Sequence, residues 1–127
     1  MAPAVPPALK IKIQLFCGDE IAMGPGKADL IDAIARTGSI SAAARALGMS
    51  YRRAWLLVDT MNRCFAAPLV TTLPGGAPGS GAQVSPLGAE VLGHYRALQA
   101  QAAGITNGDD VAAISRALLD SPRPAKS

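Results

Sequence analysis

The sequence predicts a mostly helical α+β domain, with three helices standing between two β-hairpins and a long helix closing the unit. Three observations predict it. Apolar residues recur at helical spacing in three consecutive stretches between Leu30 and Phe65, each bounded by glycine, serine or proline. Period-two alternation precedes them over residues 8–16, and a β-branched run follows them at residues 69–73. A glycine-rich break then separates that run from residues 82–84, after which Ser85 and Pro86 open one more amphipathic stretch.

Residues 8–16 (ALKIKIQLF) place Leu9, Ile11, Ile13 and Leu15 on one face and Lys10, Lys12 and Gln14 on the other, the pattern of a half-buried strand. Gly18, Asp19 and Glu20 read as a turn, and residues 21–23 as a short return strand. Pro25 suits a first helical position, where its missing N–H costs nothing. Leu30, Ile31, Ile34 and Ala35 carry that helix to Thr37, with Gly38 as its stop. Either Ser39 or Ser41 caps a short helix over residues 42–47, closed by Gly48. Ser50 caps a third helix, in which Ala54, Val58, Met61 and Phe65 form the buried stripe and which Pro68 ends.

Residues 74–81 (PGGAPGSG) are nearly all glycine and proline and form the tip of the second hairpin. Leu87, Val91, Leu92, Tyr95 and Leu98 make the apolar face of the long helix that follows. Beyond it, residues 111–119 suit one more short amphipathic helix capped by Asp109 or Asp110, and residues 121–127 (SPRPAKS) a disordered tail. The expected organisation is a disordered arm at residues 1–7, one domain at residues 8–104, and a short helix with a tail at residues 105–127.

Composition removes several function classes. No stretch approaches the roughly 20 apolar residues of a membrane span. Residues 1–7 (MAPAVPP) lack a charged segment followed by an apolar one, so a secretory signal is not expected and cytoplasmic residence is. Two distant cysteines, Cys17 and Cys64, and a single histidine, His94, are too few ligands for a zinc module; no metal and no cofactor are expected. The thiols are expected to be buried and inert, a disulfide being unusual in the cytosol. His94 has no Ser, Cys or Asp at motif spacing, so no enzyme is expected.

The net charge of +3 is mild, and its placement says more. Between residues 36 and 63 stand five arginines (Arg36, Arg45, Arg52, Arg53, Arg63) against one acid, Asp59, and residues 60–89 hold no acid at all. The middle of the chain is therefore its polyanion-facing region. The element order, with two helices across a tight turn followed by a hairpin, is that of a winged helix-turn-helix, in which the second of those helices enters the major groove. In residues 38–55 (GSISAAARALGMSYRRAW) the alanines let helices cross closely, and Leu47 and Met49 plug the core between them. Tyr51, Arg52 and Arg53 fill the first turn of the reading helix, where arginine suits guanine and tyrosine suits phosphate or sugar. Trp55 straddles core and outward side, with packing the expectation. In the wing, Thr71, Thr72 and Gln83 supply polar groups, and Gly75, Gly76, Gly79 and Gly81 let backbone approach phosphate.

Residues 38–63 resemble the LysR-type helix-turn-helix, and more closely the N-terminal domain of ModE-type molybdate-responsive regulators. The resemblance rests on residues 50–55 (SYRRAW), on the Met61–Asn62 pair, and on residues 68–88, which are similar to that family's glycine-rich wing and the start of its next helix. It extends over roughly residues 10–101, including the hairpin at residues 10–23. It implies a homodimer, joined partly by the N-terminal hairpin and the long helix, on a palindromic operator in double-stranded DNA. Ser50, Tyr51, Arg52 and Arg53 would then be recognition-helix contacts, Thr71, Thr72 and Gln83 wing contacts, and Ser39 and Ser41 residues near the DNA backbone. Family members also carry C-terminal molybdate-binding domains. The roughly 25 residues after the long helix are too few for one, so the oxyanion site is expected to be absent. The implied function is regulation of molybdenum-uptake or molybdoenzyme genes. The alternative is a module that binds DNA only beside a separate sensor protein, docked through residues 111–119.

Overall fold

A computed structural model describes residues 9–73 and 81–126. The elements run β1 (Leu15–Cys17), β2 (Glu20–Met23), α1 (Pro25–Thr37), α2 (Ile40–Leu47), α3 (Tyr51–Cys64), β3 (Val70–Thr72), β4 (Ala82–Val84), α4 (Pro86–Ala103), a 3₁₀ turn (Gly104–Asn107) and α5 (Asp109–Ala117). This is the mostly helical α+β winged helix-turn-helix that the sequence predicts. The expected arm at residues 1–7 and the glycine-rich tip at residues 74–80 lie outside the described residues.

The first hairpin departs most from expectation. Its strand begins only at Leu15, and residues 9–14 have no regular structure. A ladder needs an equal partner, and β2 has four residues before Pro25 turns the chain into α1. The carbonyl of Ile13 instead accepts a 2.7 Å hydrogen bond from the Tyr95 hydroxyl on α4. Where the strands do pair they are antiparallel, Phe16 opposite Ile21 and Cys17 opposite Glu20, with an irregularity between Leu15 and Phe16.

Local signals set the helix ends. Gly38 takes φ 79° and closes α1 with an N–H bond to the Ile34 carbonyl, and Gly48 takes φ 70° after α2. Ser39, and not Ser41, caps α2: its Oγ accepts from the Ala42 N–H at 3.0 Å, so the helix starts at Ile40, ahead of the expected 42. Ser50 caps α3 as expected, accepting from the Arg53 N–H at 3.1 Å. The core joins Leu30, Ile31 and Ile34 of α1 to Ala43 and Ala44 of α2 and Ala54, Val58 and Met61 of α3. In α1 it is Ala33, not Ala35, that completes the buried face.

The wing hairpin pairs Val70 with Val84, Thr71 with Gln83 and Thr72 with Ala82. It is tied back to the helices by the Ala82 N–H, which donates to the Gly38 carbonyl at 2.9 Å. Ser85 closes it: its Oγ donates to the Pro68 carbonyl at 2.7 Å and accepts from the Gly88 N–H at 3.0 Å, capping α4. Gly88 lies so close to the Leu69 carbonyl that a Cβ would collide with it. On α4 only Tyr95 of the expected apolar face is buried; Leu87, Val91 and Leu92 are half-buried and Leu98 is exposed. Arg96 fastens α4 to α1 through Asp29 at 2.9 Å and Asp32 at 3.4 Å. α5 begins at Asp109 behind Gly108, so Asp109 and Asp110 sit in its first turn and cap nothing. Residues 121–126 form neither helix nor strand.

Candidate nucleic-acid interface

The site is built on two helix starts. The first N–H groups of a helix have no partner within it and carry the positive end of its dipole. Neither α2 nor α3 places an acid in its first turn, so no carboxylate of that turn neutralises that end. Tyr51, Arg52 and Arg53 are all exposed in the first turn of α3, and neither arginine forms an ion pair among the described residues. The one acid of α3, Asp59, is bound at 2.9 Å by Arg63, whose guanidinium is raised further by that hydrogen bond. The α3 entry is left purely cationic.

Ser39, Ser41, Tyr51 and Thr72 border a single cleft of about 280 Å³, closed by Leu73 and Gly81. Helix α2, the start of α3 and the wing therefore meet on one face. The Oγ of Ser39 is already engaged as a cap, while Ser41 is exposed. Thr71 and Gln83 are cross-strand partners one residue out of step with Thr72, so they stand on the opposite side of the hairpin, exposed and outside the cleft. Lys27, half-buried on α1, has its ammonium held below the usual range, chiefly by burial and also by Arg53.

Comparison with known proteins agrees with this geometry. Residues 27–86 match the bacterial regulatory helix-turn-helix proteins of the lysR family. Residues 27–86 form a lysR-type helix-turn-helix of the ModE kind. Over 78 residues (61% of this chain, 29% of the relative) it is 50% identical to the molybdenum-pterin-binding protein MopB of Rhodobacter capsulatus. Over 70 residues (55% and 26%) it is 43% identical to the molybdenum transport protein ModE of Azotobacter vinelandii. Over 118 residues (85% and 43%) it is 33% identical to the DNA-binding transcriptional dual regulator ModE of Escherichia coli. The chain thus spans less than half the length of these relatives.

Within the ModE-type domain, two residues matter that sequence reasoning placed wrongly or left without a role. Asn62 seats the wing on α3: its Nδ2 donates to the Val70 carbonyl at 2.9 Å, and its Oδ1 accepts from the N–H groups of Leu69 (2.9 Å) and Val70 (3.2 Å). A lone asparagine near the end of an apolar helix face was the available signal. Trp55 was expected to pack; it is 46% exposed and shares a hollow of about 280 Å³ with Tyr51 and Arg52. The buried stripe passes through Ala54 and Val58, which turns residue 55 outward.

The cysteines also depart from expectation. Cys17 is exposed and Cys64 half-buried, both as free thiols. Burial and a hydrogen bond with Cys17 push the Cys64 thiol above its ordinary range. Among the described residues no three of His, Cys, Asp and Glu converge to hold a metal, and no helix is long and apolar enough to cross a membrane. His94 is exposed and borders an apolar groove of about 200 Å³ with Leu15, Phe65 and Leu98, between the first hairpin and α4.

Proposed function

We propose that this chain supplies the DNA-reading part of a cytoplasmic, non-enzymatic transcriptional regulator of molybdenum-uptake or molybdoenzyme genes. The observation that carries the reading is the convergence on one face of Ser39, Ser41, Tyr51 and Thr72, beside two arginines unpaired among the described residues. A helix fits the major groove, and arginines in its first turn reach base edges there. Ser50 presets that turn, Tyr51, Ser39 and Ser41 meet phosphate, and Thr71, Thr72 and Gln83 are the wing's contacts. The target genes follow from the names of the relatives alone. A homodimer on a palindromic operator is supported by the apolar residues that the first hairpin and α4 leave open, with Phe16 63% exposed and Leu15 and Leu98 also uncovered beside the groove.

The test is titration of duplexes from molybdate-transport promoters against scrambled duplexes at fixed salt, with sedimentation of the protein alone. A dimer that binds the promoter at least about 10³-fold more tightly is expected. Equal affinity for both duplexes would overturn the regulator, and a monomer in solution and on DNA would overturn the dimer. A second reading, dependence on a separate sensor, is favoured by α5, where no residue is buried and Ile114 is 64% exposed. Truncation at Gly108 separates the two: undiminished promoter affinity counts against the sensor-dependent reading.

A further inference from the structure

The outward face of α3 holds more than arginines. Tyr51 is 56% exposed and Leu56 45%, alongside Trp55. Tyr51 and Trp55 lie one turn apart and line one hollow with Arg52, so the exposed rings stand beside a cationic edge, and Leu56 follows one turn from Arg52. No core position needs the indole there, because Ala54, Val58 and Met61 already fill the inward stripe. One exposed leucine is unremarkable, but a tryptophan left 46% exposed beside Tyr51 and Arg52, at a first turn without acids, calls for a partner.

The charge of the edge calls for a polyanion, and the centre for an apolar spot on it. In the major groove the apolar spot on a base edge is the C5-methyl of thymine, set beside the O4 acceptor. An indole offers an apolar rim and a single N–H donor, which match those two groups. We propose that Trp55 is a specificity-determining residue, whose indole packs on the C5-methyl of one thymine in each operator half-site. This rests on the DNA-reading function above.

Trp55 is the chain's single tryptophan, so the tryptophan emission reports on the surroundings of this residue alone. A randomised duplex library is selected with wild type and with Trp55→Ala, and each thymine of the wild-type consensus is then replaced by deoxyuridine, which removes only the methyl. At one thymine per half-site the replacement weakens wild type about fourfold, the worth of one buried methyl-sized group. Trp55→Ala selects a consensus without preference at that position, is indifferent to the replacement, and keeps the wild-type salt slope because phosphate contacts persist. The tryptophan emission shifts on adding consensus duplex. If no deoxyuridine weakens wild type and both proteins select one consensus, Trp55 reads nothing while the regulator stands. An emission change that follows protein concentration instead of duplex overturns the proposal in favour of a protein contact. Should wild type select no consensus, both readings fall. Wild type alone decides against the proposal, since a wild type that no deoxyuridine weakens overturns it whether or not Trp55→Ala folds.

Discussion

Removing the Asn62 side chain tests how the wing is held. Asn62→Ala deletes three hydrogen bonds, at 2.9, 2.9 and 3.2 Å, between α3 and the backbone of Leu69 and Val70. A hydrogen bond contributes about 1 kcal/mol net, and more when its loss strands a buried partner. Leu69 and Val70 are buried, so their N–H groups cannot simply turn to water. Three such bonds make the expected loss about 3 kcal/mol, a large share of the roughly 5–15 kcal/mol that holds a domain folded. Asn62→Asp keeps the acceptor for the two N–H groups but sets a carboxylate oxygen against the Val70 carbonyl, so it is expected to lose about 1–2 kcal/mol. Urea unfolding measures both, with the slope m unchanged if the variants differ from wild type only in stability. A loss below about 0.5 kcal/mol for Asn62→Ala at unchanged m would refute the reasoning, since the wing would then be held by its packing and by the Ala82–Gly38 bond without help from Asn62.

Three further outcomes follow. Gly88→Ala, whose Cβ would strike the Leu69 carbonyl, is expected to destabilise by about 1–3 kcal/mol. Gly93→Ala on the same helix meets nothing within 4 Å and is expected to stabilise by about 0.5–1 kcal/mol, both read by thermal melting. Arg52→Ala and Arg53→Ala are each expected to weaken operator binding by about 1–3 kcal/mol where the guanidinium meets a base; a loss that is equal on all duplexes and vanishes at high salt assigns the residue to phosphate. Cys17, being exposed, is expected to be alkylated faster than Cys64 at neutral pH, by mass spectrometry. A raised pKa means less thiolate at any pH below it, so the alkylation rate of Cys64 is expected to go on rising with pH above the ordinary thiol range; a Cys64 rate that levels off within that range would refute the assignment.

What the sequence by itself determined is what neighbours along the chain decide. Pro25, Gly38, Ser39, Gly48, Ser50 and Ser85 mark helix ends through bonds that reach four residues or fewer, so α1, the turn between α2 and α3, and the start of α4 were legible to within two residues. The first turn of α3 was legible for the same reason, since its cap and its arginines are consecutive. The tertiary structure decided whatever needs a distant partner. The alternation of residues 9–14 predicted a strand, but alternation does not supply a second strand, and Ile13 bonds instead to Tyr95, 82 residues away. It decided that Thr72 enters the cleft while Thr71 and Gln83 do not, through a register that only the pairing of β3 with β4 defines. It also decided that Trp55 faces outward, because α3 is turned by what Ala54, Val58 and Met61 pack against. Burial is a property of the assembled core, and periodicity along one helix names its apolar face without saying how much of it the other elements cover.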